Sequence, residues 1–390
     1  MSTVSRIVET RVKNLAALAG VTVNGAGAGD IRIKDKRTFT LVARQGTLGL
    51  GEAYMAGYWD CDDLETFFEK VFTANLGRSV KEGAGVVWTR ILGRLTNIQT
   101  ASNTRNLADT HYNVSNEMFE AMLGPTMAYS CAYWPEAADL DTAQLAKYDL
   151  VCRKLGLTEN DRLLDIGCGW GGFARYAAAT YGCHVTGLTI SGEQARYARE
   201  LCRGLPVTIL CRDYRHMPDC LDGDTTFTKV SSIGMFEHVG HKNYRLFMRQ
   251  VADRLVDDGL CLLHTIGCYR TLDFASSPWI EKYIFPSSML PSLSHVSQAS
   301  EGLLVLEDLQ DIGYNYHRTL MCWHDRFEDY WHRRTHGQPL PKVWGSEDVF
   351  YRMWRFYLIS TATSFRLRRT PVWQFVFSKH GVKGGYIAPR

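Results

Sequence analysis

The sequence lacks any uninterrupted apolar stretch of the ~20 residues that a transmembrane helix needs, so no segment is predicted to span a membrane. The segment Met1–Arg6 leads into an amphipathic pattern and has no long apolar core, so no secretory signal peptide is predicted. The net charge over 390 residues is only +3, which gives no indication of a nucleic-acid partner. These absences still leave room for a protein that lies against a membrane surface.

The cysteines show no sign of a disulfide framework. There are 11 of them, an odd number, and none forms a Cys-x-x-Cys pair. Cys168, Cys211 and Cys261 lie inside apolar runs, as reduced thiols of a cytoplasmic protein do. With 45% hydrophobic and 22% charged residues, the composition is that of a folded soluble protein with a sizeable core.

Residues 1–95 are predicted to form a small N-terminal α/β domain. Its predicted elements are a helix over residues 7–18, β-like runs at Ile31–Lys34 and Phe39–Val42, glycine-rich turns and close packing over Gly46–Trp59, and a helix at Leu64–Phe72. The stretch Leu95–Asn106 is rich in Thr, Asn and Ser, which predicts a linker at 96–106.

Residues 107–390 are predicted to form an α/β domain with a Rossmann-like sheet, because strand and helix patterns alternate from residue 160 onward. The predicted strands are Arg162–Ile166, His184–Ile190, Val207–Arg212, Phe227–Ile233, Leu260–Thr265 and Leu303–Leu309, with Val372–Phe377 pairing antiparallel at an edge. Helices are predicted at Phe173–Tyr181, Gly192–Leu201 and Asn243–Leu255. The segment 268–302 is long for a loop and indicates an inserted lid or binding element.

A glycine-rich loop follows the first of these strands, where open α/β sheets bind ligands. Gly167, Gly169 and Gly172 satisfy the Gly-x-Gly-x-x-Gly pattern, which NAD enzymes share. Asp165 at the strand end can hold a methionine ammonium. The next strand ends at Thr189 without the acid that grips a ribose in NAD enzymes, and the neutral Gln194 follows. The pattern therefore favours S-adenosylmethionine, with NAD and a purely structural loop as alternatives.

Glu237-His238-x-x-His241 suggests a metal site at first sight. The order is not that of the zinc proteases, and the two histidines are predicted to lie in a turn. We therefore predict no metal.

Six blocks in chain order resemble the cyclopropane fatty acid synthase family: Gly49–Trp59, His111–Asn116, Tyr129–Trp134, Leu163–Gly172, Gly234–Gly240 and Leu262–Gly267. The resemblance implies a class I methyltransferase fold with a mostly parallel seven-stranded sheet and helices on both faces. It also implies the reaction, in which a methyl group passes from S-adenosylmethionine to a cis double bond of a phospholipid acyl chain, and loss of a proton closes a cyclopropane ring.

The resemblance further implies the site residues. A bound bicarbonate would take the proton at Cys131, Glu237, His264, Ile266 through its backbone, and Tyr316. The cofactor would lie against Tyr129, Ser130, Asp165, Gly167, Gly169, Trp170, Gly171, Thr189, Gln194, Asp213 and Tyr214. Aromatic faces can stabilise the carbocation that forms. The candidates are Tyr129, Tyr133, Trp134, Phe236 and Tyr316.

The implied partners are unsaturated phospholipids at the inner membrane surface and a second copy of the chain, with the N-terminal domain assisting lipid engagement. Trp279–Phe285 and the arginines at 352, 355, 366, 368 and 369 are candidates for lipid contact, although a packed helix and a solvated face explain them equally well. Two alternatives remain. One is a methyltransferase that makes methyl-branched lipids or N-methylates a small amine. The other is a non-catalytic lipid- or nucleotide-binding protein.

Overall fold

The computed structural model describes residues 3–75, 116–217, 225–271, 277–334 and 346–390. The predicted linker at 96–106 lies outside these residues. The chain divides into two compact units. The first comprises Met1–Thr96, Phe274–Pro286 and Leu320–Arg369, and the second comprises Asn97–Asp273, Ser287–Thr319 and Thr370–Arg390. The assignment of an accessory domain at 1–95 and a catalytic domain at 107–390 stays a prediction.

The first unit is mainly helical. Its elements are α1 (Thr3–Leu18), β1 (Arg32–Ile33), α2 (Arg37–Gln45), α3 (Thr47–Met55), β2 (Trp59–Asp60), α4 (Leu64–Thr73), α10 (Pro278–Tyr283) and α13 (Glu347–Arg366), together with most of α12 (Tyr316–Arg333). β1 and β2 form a short antiparallel pair. The predicted strand at Phe39–Val42 is wrong. These residues lie in α2, which buries Phe39 while Arg44 stays in solvent, and such packing overrides the β propensity of a short run.

The glycines of Gly46–Trp59 serve both turns and close packing. Gly46 and Gly57 lie in turns on either side of α3, with φ angles of +58° and +71°, and Gly49 and Gly51 lie inside the helix. A Cβ atom on Gly49 would lie 2.1 Å from the carbonyl oxygen of Leu41, and one on Gly51 would lie 2.3 Å from the Trp279 ring. Two neighbours can approach α3 only because these positions carry no side chain.

The proposed lipid-contact residues of the first unit have partners inside it. Arg352 donates to the Trp59 carbonyl at 2.7 Å. Arg366 pairs with Glu69, and Arg369 donates to a backbone carbonyl of the same unit. Trp279 is 2% exposed and packs on a phenylalanine ring at 4.5 Å. These contacts account for the residues structurally, and lipid contact by them stays a prediction.

The second unit contains the predicted seven-stranded sheet. Its strands are β3 (Arg162–Ile166), β4 (His184–Thr189), β5 (Val207–Cys211), β6 (Phe227–Ile233), β7 (Leu255–Ile266), β8 (Val305–Asp311) and β9 (Val372–Ser378). The order is β5-β4-β3-β6-β7-β9-β8, with β3 to β7 parallel and both β9 pairings antiparallel. The sheet confirms the class I methyltransferase fold.

The helices of the second unit are α5 (Asn116–Leu123), α6 (Leu140–Leu155), α7 (Gly172–Tyr181), α8 (Gly192–Leu201), α9 (Tyr244–Arg254) and α11 (Leu293–Ser300). α6 has a clear local origin. Asp139 and Thr142 form a capping box at its start, and Gly156 closes it in the left-handed conformation. The buried side of α6 packs on the sheet through Tyr148, Val151 and Leu155.

The sequence predicts the last strand at an edge of the sheet, and this prediction is wrong. β9 lies between β7 and β8, and all seven of its residues are buried. β8 takes the edge, with Val305 and Leu306 exposed. The nearly continuous apolar run of β9 fits a strand that is covered on both faces.

Within the described residues, no helix combines the length and the apolar character needed to cross a bilayer.

Candidate active site

The loop between β3 and α7 is built on glycines with positive φ. Gly167, Gly169 and Gly171 have φ angles of +89°, +55° and +84°. The N–H groups of Gly167 and Cys168 both donate to the carbonyl oxygen of Leu188 at the end of β4. The loop is thereby fixed at the point where the sheet order reverses between β3 and β6, which is where such sheets bind ligands.

One side of this loop is open and the other is packed. A Cβ atom on Gly169 would meet no atom within 4 Å. A Cβ atom on Gly172, the first residue of α7, would lie 2.0 Å from the carbonyl oxygen of Thr126. The open side lets a ligand approach the backbone, and the N-terminus of α7 favours negative charge there.

Asp165 lies inside β3, one residue before the strand ends. It is buried, and the Ser231 hydroxyl donates to its Oδ1 at 2.9 Å. Burial raises the pKa of the Asp165 carboxyl above its ordinary value, while Ser231 and the Lys147 ammonium oppose the rise. A cationic group bound nearby would favour the carboxylate.

Thr189 and Gln194 meet at the end of β4. The Thr189 hydroxyl lies 2.9 Å from the Gln194 side-chain oxygen, and the backbone N–H of Ser191 lies 3.3 Å from the same hydroxyl. The Ser191 side chain caps α8. The pair offers neutral hydrogen-bonding groups at a strand end, in keeping with the absence of a ribose-binding acid.

The predicted aromatic residues of the cofactor site gather on Phe119. Its ring centroid lies 5.5 Å from that of Tyr129 and 4.9 Å from that of Trp170. The Trp170 indole N–H donates to Asn116. Ser130 accepts a 2.9 Å hydrogen bond from the Lys147 ammonium.

The positions predicted to flank adenine have other partners. Arg215 holds both carboxylate oxygens of Asp213. The Tyr214 ring packs on Phe247 in the apolar core, 5.4 Å between centroids, and its hydroxyl has no hydrogen-bond partner among the described residues. Their role toward adenine stays a prediction.

Glu237 lies beyond the end of β6 with its carboxylate turned to β7. Its Oε1 accepts the backbone N–H of Ile266 at 2.6 Å, and its Oε2 is buried without a hydrogen-bond partner among the described residues. Burial raises the pKa of the Glu237 carboxyl to about 7, although the Ile266 N–H lowers it. The N–H that is predicted to bind bicarbonate is thus held by Glu237 in this structure.

His264 lies in β7 and pairs across the sheet with Gln374 of β9. Its Nδ1 is 3.3 Å from the Gln374 side-chain nitrogen, and both residues are buried. Glu237 does not orient His264 through Nδ1 in this structure, because Gln374 lies at Nδ1 and the Glu237 carboxylate accepts from the Ile266 N–H. Burial lowers the pKa of the His264 imidazole well below its ordinary value.

The backbone around Cys131 lies against the segment that leads into α12, the helix that begins at Tyr316. The Cys131 thiol lies 3.7 Å from the carbonyl oxygen of Ile312, four residues before Tyr316. The next backbone N–H, from Ala132, donates to Thr319 in the first turn of α12. Burial raises the pKa of the Cys131 thiol well above its ordinary value, so the thiol stays protonated and is a donor.

Two of the aromatic candidates for cation stabilisation have occupied faces. The Arg318 guanidinium lies 3.9 Å from the centre of the Trp134 ring. Phe236 stacks on Tyr244 at 4.2 Å within the core and is fully buried. For Tyr129, Tyr133 and Tyr316 the role in cation stabilisation stays a prediction.

The Glu237-His238-x-x-His241 segment shows no metal-like arrangement. The His241 Nδ1 faces the Met289 sulfur at 3.3 Å, and burial lowers the pKa of His238 to about 4. Across the described ranges, no three His, Cys, Asp or Glu side chains gather as metal ligands do.

Comparisons with known proteins agree with this architecture. The family model described as mycolic acid cyclopropane synthetase matches residues 99–375. The chain is 43% identical to the cyclopropane-fatty-acyl-phospholipid synthase of Escherichia coli strain K12, over 97% of this chain and 96% of that one. The chain belongs to the cyclopropane fatty acid synthase family. This membership makes it an S-adenosylmethionine-dependent transferase.

Solved structures of the family have the same fold. The cyclopropane synthase MmaA2 from Mycobacterium tuberculosis matches with a TM-score of 0.61 at 31% identity, over 70% of this chain and 98% of that one. The mycolic acid cyclopropane synthase CmaA1, complexed with SAH and CTAB, matches with a TM-score of 0.60 at 31% identity, over 70% of this chain and 98% of that one. A coclaurine N-methyltransferase matches with a TM-score of 0.67 at 23% identity, which shows the fold alone.

Two buried residues that contact the predicted site residues were not predicted from the sequence. Lys147 is fully buried in α6, where its ammonium contacts Ser130, and Gln374 contacts His264 from β9. A usable signal was present for the lysine. It lies four residues from Ala143 and four from Val151, on the core-facing side of the helix, where an unpaired lysine is rarely found.

Proposed function

We propose that the protein transfers a methylene group from S-adenosylmethionine to the cis double bond of unsaturated phospholipid acyl chains and closes a cyclopropane ring. One observation carries the proposal. The glycine loop and the buried Glu237–Ile266 and His264–Gln374 pairs lie at the same edge of one sheet. The 43% identity to the Escherichia coli synthase extends over 97% of the chain and supports the same reaction.

The cofactor residues divide into two groups by what they offer. Gly167, Gly169 and Gly171 expose backbone to the ligand, and Asp165 provides a buried carboxyl suited to the methionine ammonium. Aromatic and neutral polar groups complete the predicted site: Tyr129, Ser130, Trp170, Thr189, Gln194, Asp213 and Tyr214. S-Adenosylmethionine supplies the one-carbon unit when bound.

The proposed base is a bound bicarbonate, which would accept a proton from the new methyl group. The donor set suits a small anion. Cys131 carries a protonated thiol, His264 an uncharged imidazole and Tyr316 a phenolic hydroxyl, and Ile266 carries a backbone N–H that donates to Glu237 in this structure. Glu237 is protonated over part of the neutral pH range, so it can share a proton with the anion and avoid repulsion.

The acyl chain lies in a bilayer, so the proposal includes docking at the inner membrane surface from the cytoplasm. It also includes a homodimer, and an accessory role for residues 1–95 in lipid engagement that a linker at 96–106 permits.

The test is incubation of the protein with isotope-labelled S-adenosylmethionine and vesicles of unsaturated phospholipid, followed by mass analysis of the fatty acids. Ring closure adds CH2 to the alkene. A methyl-branched product would carry two further hydrogens. Formation of a labelled amine without any labelled lipid would indicate N-methylation. Vesicles of saturated phospholipid are the matched control. Absence of any labelled fatty acid from unsaturated vesicles would refute the proposal.

A further inference from the structure

A row of polar side chains crosses the sheet face that α6 covers. Cross-strand partners share a face, and the register pairs Asp165 with Ser231, His264 with Gln374, and Gln374 with Gln310. We propose that Gln374 is a positioning residue that holds His264 as the neutral tautomer with its proton on Nε2. The inference rests on the proposed function for its catalytic meaning, although the tautomer itself can be observed independently.

The orientation of the Gln374 side-chain amide indicates which ring nitrogen of His264 carries the proton. The Gln374 side-chain nitrogen lies 3.3 Å from Nδ1 of His264, and an amide nitrogen only donates. Nδ1 must therefore accept, and a neutral imidazole then carries its hydrogen on Nε2. Gln374 is completely buried and His264 is 1% exposed, so water does not compete for this contact. The antiparallel pairing of β7 with β9 sets the two side chains opposite each other.

The surrounding charges oppose the imidazolium form. α6 presents Lys147 and Lys154 toward His264, seven residues apart and on one helix face. Both lysine side chains are completely buried. Burial lowers the pKa of His264, and these two lysines lower it further while they are charged. Burial also lowers the pKa of Lys147 to about 7 and that of Lys154 to about 8, so above pH 8 burial alone keeps the imidazole neutral. Gln374 of β9 and Gln310 of β8 carry uncharged amides, Asp308 of β8 pairs with Lys154 at 3.5 Å, and the Glu237 carboxyl is turned to the Ile266 N–H.

This arrangement has a chemical consequence at the proposed anion site. A neutral Nε2–H can donate a hydrogen bond to an anion without giving up its proton. An imidazolium would transfer a proton to the anion and abolish its basicity. Gln374 therefore acts through His264 to preserve the base and does not touch the reacting atoms.

The direct test is nitrogen-15 NMR of the full-length protein labelled at histidine, with His264→Gln used only to assign the ring signals. Between pH 6 and 9, we expect the Nδ1 signal of a non-protonated nitrogen and the Nε2 signal of a protonated one, with no titration. A protonated Nδ1, or an imidazolium at pH 7, would overturn the inference whatever the activity of the protein.

Two variants and a matched control connect the tautomer to turnover. In Gln374→Glu, the carboxylate accepts from Nδ1, so the proton moves to Nδ1, and we expect kcat to fall by about 10²-fold with the Kd for S-adenosylmethionine unchanged. Gln374→Met removes the donor and should give a mixture of tautomers with a smaller loss. Gln310→Met makes the same change one strand away and should leave the His264 signals and kcat unchanged.

The outcomes separate the two claims. An Nε2–H tautomer in a protein that makes no cyclopropane would leave the inference intact and refute the proposed function. An active protein in which Gln374→Glu or Gln374→Met has the wild-type tautomer and the wild-type kcat would refute the inference and leave the proposed function intact.

Discussion

Replacement of Glu237 by glutamine should stabilise the protein while destroying its activity. Burial raises the pKa of this carboxyl from 4.5 to about 7, and each pKa unit is worth ~1.4 kcal/mol. The buried carboxylate therefore costs the folded state about 3 kcal/mol at pH 8. Glutamine carries no charge, and its side-chain oxygen can keep the bond from the Ile266 N–H. We expect the unfolding free energy to rise by up to about 3 kcal/mol. The gain is reduced by the cost of burying the glutamine NH2 group without a hydrogen-bond acceptor.

The sign of the pH dependence follows from the raised pKa. The folded state keeps the proton to a higher pH than the unfolded state, so the cost is absent below pH 4.5 and fully present above pH 7. Thermal denaturation of Glu237→Gln and the native protein between pH 4 and 8 should give midpoints that coincide at the acid end. They should separate as pH rises, with the variant higher.

The same preparation tests the chemistry. Without the carboxyl there is no group to share a proton with the bound anion, so cyclopropane formation should be nearly abolished while S-adenosylmethionine binding is kept. A variant that is less stable than the native protein at pH 8 would show that the carboxyl is not desolvated as described. A variant with normal turnover would refute the proposed anion site.

Four further substitutions probe other parts of the second unit. Lys147→Met removes the ammonium that holds Ser130, and calorimetric titration should show about tenfold weaker binding of S-adenosylmethionine, about 1.4 kcal/mol; unchanged affinity would separate this lysine from the cofactor site. Gly172→Ala places a Cβ atom 2.0 Å from a carbonyl oxygen and should lower stability by about 3 kcal/mol or more. In Gly169→Ala the new Cβ atom meets no atom, so the change should cost only about 1–2 kcal/mol, through the positive φ. Equal melting points for the Gly169→Ala and Gly172→Ala variants would contradict the close packing described at Gly172. Asp139→Ala removes the cap of α6 and should cost about 1 kcal/mol in thermal denaturation without a change in kcat.

Much of the second unit could be predicted because its patterns are local. The strand Arg162–Ile166 is an apolar run that ends at a glycine loop, and the structure gives the same bounds. The helix Gly192–Leu201 begins at a serine cap and also has the predicted bounds. Parallel strands bring their carboxyl ends to one edge, so the sequence also predicted which loops would meet.

Other features depend on contacts between distant segments. The position of β9 inside the sheet is decided by pairing with β7 and β8, which no local pattern encodes. The helix α2 replaced a predicted strand because short runs are decided by what they pack against. The role of Gln374 could not be predicted because it depends on the contact with His264, which lies more than a hundred residues earlier in the chain.

The strand order also has a consequence for how the protein is made. β8 precedes β9 in the chain, yet β9 is the strand that joins it to β7. During synthesis, β8 therefore emerges with no neighbour in the sheet to pair with, and it must wait until β9 has left the ribosome. His264 likewise has no amide partner until then. The sheet and the surroundings of His264 are therefore completed together, when β9 is added. In a nascent chain halted before β9, β8 would have no strand to pair with and His264 would lack the Gln374 amide at Nδ1.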